Sequence, residues 1–137
     1  MSKEHILVAD DDVEFHMVIK MALEENGFAG SLHMVSNGIE VMDFLRHEGK
    51  FIDSPPPDLI IMDLKMPHKD GREVLREIKA EPALRLIPVV ILSSSISEED
   101  LRLCNDFGCL FIRKPDSYAG WIKAMQRALE AEPPEMN

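Results

Sequence analysis

Apolar residues fall along this chain in two alternating rhythms. The short unbroken runs Ile6-Leu7-Val8-Ala9, Leu59-Ile60-Ile61-Met62 and Pro88-Val89-Val90-Ile91-Leu92 have the length and β-branched content of strands buried on both faces of a parallel sheet. Ser31-Leu32-His33-Met34-Val35 and Leu110-Phe111-Ile112 read as two further strands. Between them the spacing becomes helical. Val13, Met17 and Met21, with Val18 and Ala22 beside them, define an apolar face that begins after the cap residue Asp12 and stops near Asn26-Gly27. A second helix follows Asn37-Gly38, carries Ile39, Met42 and Leu45 and closes by Gly49; a third follows His68-Lys69-Asp70-Gly71, turns Val74, Leu75 and Ile78 inward and ends near Pro82. Ser97-Glu98-Glu99-Asp100 opens a fourth, with Leu101 and Cys104 on one side and a stop at Gly108. Asp116 or Ser117 caps a fifth, in which Trp121, Ile122, Met125, Ala128 and Leu129 share a face.

Strand and helix therefore alternate five times with short connections. Right-handed crossovers then place helices on both faces of a five-stranded parallel sheet, an α/β doubly wound architecture with expected strand order 2-1-3-4-5. Length fits one domain: 137 residues at 45% hydrophobic composition supply one full core, expected over residues 1–131, with 132–137 as a short disordered tail. Ser54-Pro55-Pro56-Pro57 is a stiff connector, too short to separate domains.

A formal net charge of −10 argues against direct nucleic-acid binding and favours a basic partner surface or a bound cation. No apolar run approaches the ~20 residues of a membrane helix, and the N-terminal residues do not form a secretory signal, so no membrane contact and a cytoplasmic location are expected. Cys104 and Cys109 lack metal or redox spacing and read as reduced thiols; the histidines show no paired metal spacing.

The chemistry collects where strands end. Ligand sites in open α/β sheets lie outside the carboxyl ends of the strands, and those ends carry Asp10 and Asp11, Asp63, Ser93 and Lys114. Clustered carboxylates repel one another unless a cation or raised pKa values relieve them. Mg²⁺ takes oxygen ligands, keeps several waters and is commonly held by one or two carboxylates with a phosphoryl group. Lys114 and Ser93 supply donors for phosphoryl oxygens. The set fits phosphoryl transfer to a carboxylate, with Asp63 as acceptor and Asp10 and Asp11 gripping metal.

Val8-Ala9-Asp10-Asp11-Asp12, Met62-Asp63-Leu64-Lys65-Met66-Pro67-His68-Lys69-Asp70-Gly71, Ile91-Leu92-Ser93-Ser94 and Arg113-Lys114-Pro115, in this order, resemble the receiver domains of two-component response regulators, of the stand-alone kind typified by the chemotaxis regulator. The resemblance covers about Lys3 to Ala131 and implies a flavodoxin-like (β/α)5 fold. It implies that Asp63 takes a phosphoryl group from the phosphohistidine of a sensor histidine kinase. Asp11, Asp63 and the backbone carbonyl of Lys65 would contact Mg²⁺, with Asp10 acting through water. Ser93 and Lys114 would bind phosphoryl oxygens, and the Lys114-Pro115 bond would be cis. The implied switch moves Ser93 and Phe111 and repacks the surface of the fourth helix, fifth strand and fifth helix, through which the protein acts on a downstream target as a monomer or homodimer. Phe111 stands where tyrosine is frequent and cannot make its hydroxyl hydrogen bond. Pro55, Pro57, Asp70 to Leu75 and the loop from Ala80 to Pro88 look most like the small regulators that include partners of bacterial phytochromes.

Two other readings compete. A metal-dependent phosphohydrolase would use an Asp-x-Asp motif, but Lys65 stands two residues after Asp63 and no second carboxylate is there to act as acid or base. A receiver that is never phosphorylated would serve as a binding scaffold, against which the complete set of site residues argues. Among the loop residues, Lys65 is expected to screen the phosphorylated aspartate and slow its hydrolysis, His68 to be a surface histidine, and Glu98-Glu99-Asp100 to be a favourable acidic first turn.

Overall fold

The computed structural model describes residues 3–134. Strands β1 (His5–Ala9), β2 (Ser31–Val35), β3 (Leu59–Met62), β4 (Val89–Ser93) and β5 (Leu110–Arg113) alternate with helices α1 (Val13–Glu25), α2 (Gly38–Arg46), α3 (Gly71–Ala80), α4 (Glu98–Asp106) and α5 (Tyr118–Leu129). A 3-10 turn at Gly49–Phe51, unforeseen in the sequence, precedes β3. All strand pairings are parallel, in the order β2-β1-β3-β4-β5.

Side-chain alternation along the strands feeds two cores. Ile6, Val8, Ile61, Val90 and Leu92 face α1 and α5 and pack with Ile19, Leu23, Trp121 and Met125. Leu7, Ile60, Met62 and Ile91 face the other way, onto Val41, Leu45, Val74, Leu75, Ile78 and Cys104 of α2, α3 and α4. Every helix starts on a side-chain cap: Asp12, Asn37, Asp70, Ser97 and Ser117 each accept a backbone N–H of the first turn. Positive φ at Gly27 (86°) and Gly108 (67°) lets the chain leave α1 and α4 where the sequence places their ends.

Three expectations are corrected. The stripe Val13, Met17 and Met21 does not enter the core; these residues are 70%, 67% and 49% exposed. Of that predicted face only Val18 and Ala22 turn inward; with Phe15, Ile19 and Leu23, at spacings of three and four, they form the broader stripe that packs on α5 and the sheet. Ile39 and Leu101 also face outward, because α2 buries Val41, Met42, Phe44 and Leu45 and α4 buries Cys104 together with Asp100. The Lys114–Pro115 peptide is trans, the ordinary preference of X–Pro bonds, and in that form the Lys114 side chain already reaches its partners at the site. Of the predicted tail, residues 132–134 lack regular secondary structure and Pro134 lies beside Gly108; residues 135–137 lie outside the described residues.

Candidate functional site

Strand register brings the site together. Ala9 pairs with Met62, so Asp10 and Asp63 leave the sheet side by side, and the Asp63 N–H donates to the Ala9 carbonyl at 3.0 Å. Ser93 pairs with Arg113, and the Lys114 N–H donates to the Ser93 carbonyl at 2.9 Å. Four elements thus deliver Asp10, Asp63, Ser93 and Lys114 to one edge with no long-range adjustment of the chain.

The Lys114 ammonium is the hub. It donates to Asp10 Oδ2 and to Asp63 Oδ2, each at 2.8 Å, with its side chain only 6% exposed. Burial opposes its charge, yet the two carboxylate bonds outweigh that and hold Lys114 above the ordinary lysine range. Burial lifts the Asp10 carboxyl above the ordinary aspartate range, against the pull of the Lys114 bond and the Asp12 N–H. Asp10 is further tied by Asp12 N–H to Oδ1 at 2.9 Å. Asp63 is buried, its Oδ1 accepting the Lys65 N–H at 3.2 Å. Gly71 lets the chain pass close behind it: a Cβ there would lie 2.5 Å from the Asp63 carbonyl oxygen.

The remaining predicted residues surround this hub. Asp11 is exposed at the rim and makes no ion pair among the described residues. Ser93 is buried, and its hydroxyl donates to the Ser95 carbonyl at 3.0 Å, within its own loop. Lys65 is exposed, with Nζ 3.3 Å from Ser95 Oγ. Phe111 is half-buried on the sheet face shared with α4. His68 is exposed, as expected.

Sequence reasoning missed two neighbours and one support. The Phe15 ring lies over Lys114, centroid 3.9 Å from Nζ. His16 Nε2 lies 2.7 Å from the Asp10 carbonyl oxygen; a carbonyl only accepts, so this nitrogen carries the proton. Both residues follow the Asp12 cap in the first turn of α1, and only their position in that turn, facing back over the carboxylates, could have marked them. The support is Asp100, buried beside Arg72, which reaches it with Nε to Oδ1 at 2.6 Å and Nη2 to Oδ2 at 2.8 Å. This forked pair joins the first turns of α3 and α4, so Asp100 is more than a favourable charge at a helix start.

Among the described residues no three ligating side chains converge on a ready-made metal cage. The donors nonetheless fit a hard divalent ion. They are all oxygens, two carboxylates already share one cation, and Asp11 stands open at the rim. An ion that retains several waters needs no complete protein cage. A cavity of about 630 Å³ lies at the opposite edge of the sheet, against Lys79, Arg85, Phe107 and Pro134, away from these groups.

Residues 6–125 match the family described as response regulator receiver domain. The response regulator Rcp1 of Synechocystis sp. is 40% identical over 96 residues, which cover 70% of this chain and 65% of that protein, so the chain aligns with just under two-thirds of that relative's length. Among solved structures, the phosphorylated cyanobacterial phytochrome response regulator RcpA is similar with a TM-score of 0.83 and 36% identity, over 90% of this chain and 89% of that one. The Mn²⁺-bound form of Rcp1 is similar with a TM-score of 0.85 and 31% identity, over 97% of this chain and 99% of that one.

Proposed function

We propose, from the premise that the chain belongs to the response regulator receiver domain family, that Asp63 accepts a phosphoryl group from a histidine kinase and that its phosphorylation switches a protein-binding surface. The observation that carries this reading is the Lys114 ammonium shared between Asp63 and Asp10. An Asp63 carboxylate oxygen attacks phosphorus, the P–N bond of the phosphohistidine breaks, and the imidazole leaves with the electron pair and takes up a proton. The product is an aspartyl phosphate. Lys114, already on Asp63, counters the charge of the phosphoryl oxygens. Ser93 turns its hydroxyl from Ser95 toward them, and Phe111 follows into the space behind. The α4-β5-α5 surface repacks in consequence.

Asp10, Asp11, Asp63 and the Lys65 carbonyl are the groups that would hold Mg²⁺. When bound, the ion supplies positive charge to the transferring phosphoryl group. The similarity to the Mn²⁺-bound form of Rcp1 supports a divalent ion as a cofactor of this chain. The phytochrome regulators among the similar structures support a bacterial phytochrome as the cognate kinase. We place the protein in the cytoplasm, with residues 1–131 as the receiver, and as a phosphoacceptor rather than a turnover enzyme. The downstream contact is made as a monomer or as a homodimer through α4-β5-α5. No helix among the described residues is long and apolar enough to cross a membrane. Borohydride reduction of the phosphorylated protein tests the acceptor: it converts an aspartyl phosphate to homoserine, and peptide mapping is expected to find it at position 63. Homoserine at another position would refute the assignment.

A further inference from the structure

We propose that Phe15 is a positioning residue for phosphoryl acceptance, its ring face holding the third N–H of the Lys114 ammonium. The proposal rests on the reading that Asp63 is the acceptor. A lysine ammonium has three donors and no acceptor. Two of these donors go to Asp10 and Asp63 at 2.8 Å each. The ring centroid of Phe15 is 3.9 Å from Nζ, inside the ~6 Å reach of a cation–π contact. With the side chain 6% exposed, water has little access, and besides the ring no further partner for Nζ is found among the described residues.

The ring is itself fixed from behind. Trp121 of α5, 5% exposed, packs on Phe15 with centroids 5.6 Å apart and planes tilted by 38°. The Phe15 N–H donates to the Asp12 carbonyl at 3.1 Å, holding this residue in the first turn of α1. Two helices therefore set where the ring stands.

The contact matters because of what the reaction does to the other two. Asp63 becomes an ester of phosphoric acid, and Asp10 belongs to the group that would hold metal. Both of the ammonium's carboxylate bonds change, whereas the ring contact is untouched by the chemistry. Phe15 keeps Nζ at the phosphoryl position without adding an anion that would compete for it. A leucine is apolar and keeps much of the volume, yet offers no negative face.

The test separates shape from π character. Phe15 is replaced by phenylalanines bearing one, two and three ring fluorines, which withdraw the negative face stepwise with little change in size, and by Phe15→Leu and Phe15→Tyr. The readout is the rate of phosphorylation by acetyl phosphate with Mg²⁺, in which the donor P–O bond breaks, acetate leaves and Asp63 gains the O–P bond. The rate is expected to fall with each fluorine and by about tenfold in Phe15→Leu, while Phe15→Tyr stays within about twofold of the wild type. Lys114 Hε protons are expected to show an upfield ring-current shift that Phe15→Leu abolishes. A flat fluorine series in a protein that is phosphorylated normally overturns the role of Phe15 alone, even if Phe15→Leu fails to fold. Wild-type protein that takes no phosphoryl group overturns the acceptor reading and, with it, this role.

Discussion

Lys114 and Asp63, 51 positions apart in sequence, meet at 2.8 Å, and the same ammonium holds Asp10. In the unphosphorylated protein this lysine is the counter-ion that makes two buried carboxylates tolerable. Lys114→Met removes it while keeping most of the apolar stem, and should cost about 3 kcal/mol in the absence of metal, as breaking a buried pair does. Urea unfolding in EDTA measures the loss. Added Mg²⁺ is expected to close part of the gap; equal stability of the two proteins in EDTA would contradict the counter-ion role.

Arg72 and Asp100 clamp α3 to α4 beside the Ser93–Ser97 loop. The Arg72 bond holds the Asp100 carboxyl below its ordinary value of 3.8, so its contribution to stability is present above pH 3.8 and is lost as pH falls through the lower folded value. Asp100→Asn should therefore cost about 2 kcal/mol at neutral pH, with the deficit shrinking in acid. Parallel denaturation curves across pH check both halves of the statement.

His33, on β2, packs against Phe44 with centroids 5.1 Å apart and shares a 3.3 Å contact with the His5 ring. Burial first, then the charge of His5, lowers its pKa from 6.5. The unfolded chain then binds more protons, so this stability is present above pH 6.5 and declines as pH falls through the folded value. His33→Phe should flatten the decline below pH 6.5; an unchanged slope assigns it to other groups.

Lys65 extends over the acceptor's loop to Ser95. Lys65→Ala is expected to shorten the lifetime of the phosphorylated protein by about threefold, the scale of an exposed charge contact. An unchanged lifetime would show the lysine to be merely solvated.

The sheet, its order and the strand-end residues were legible because most of the parallel strands write themselves as apolar runs, and because four of the five end at Asp10, Asp63, Ser93 or Lys114. Gly27, Gly108, Asp12 and Ser97 announced helix ends for equally local reasons, while the α5 cap stayed open between Asp116 and Ser117 until Ser117 was found accepting the Gly120 N–H. What stayed hidden depended on choices between equivalents. Helix α1 has two apolar stripes, and only packing against Trp121 and the sheet selects Phe15, Ile19 and Leu23 over Val13, Met17 and Met21. Asp100 looks like any acid in a first turn until Arg72, on another helix, is found opposite it. The cation–π contact of Phe15 likewise arises from a partner 99 residues away by sequence number, beyond any local pattern.

The most direct test of the acceptor is intact mass after incubation with Mg²⁺ and acetyl phosphate, for the wild type and for Asp63→Asn. A gain of one phosphoryl group that requires Mg²⁺ and is absent in Asp63→Asn is the predicted result. No gain in the wild type, or an equal gain in Asp63→Asn, would contradict it.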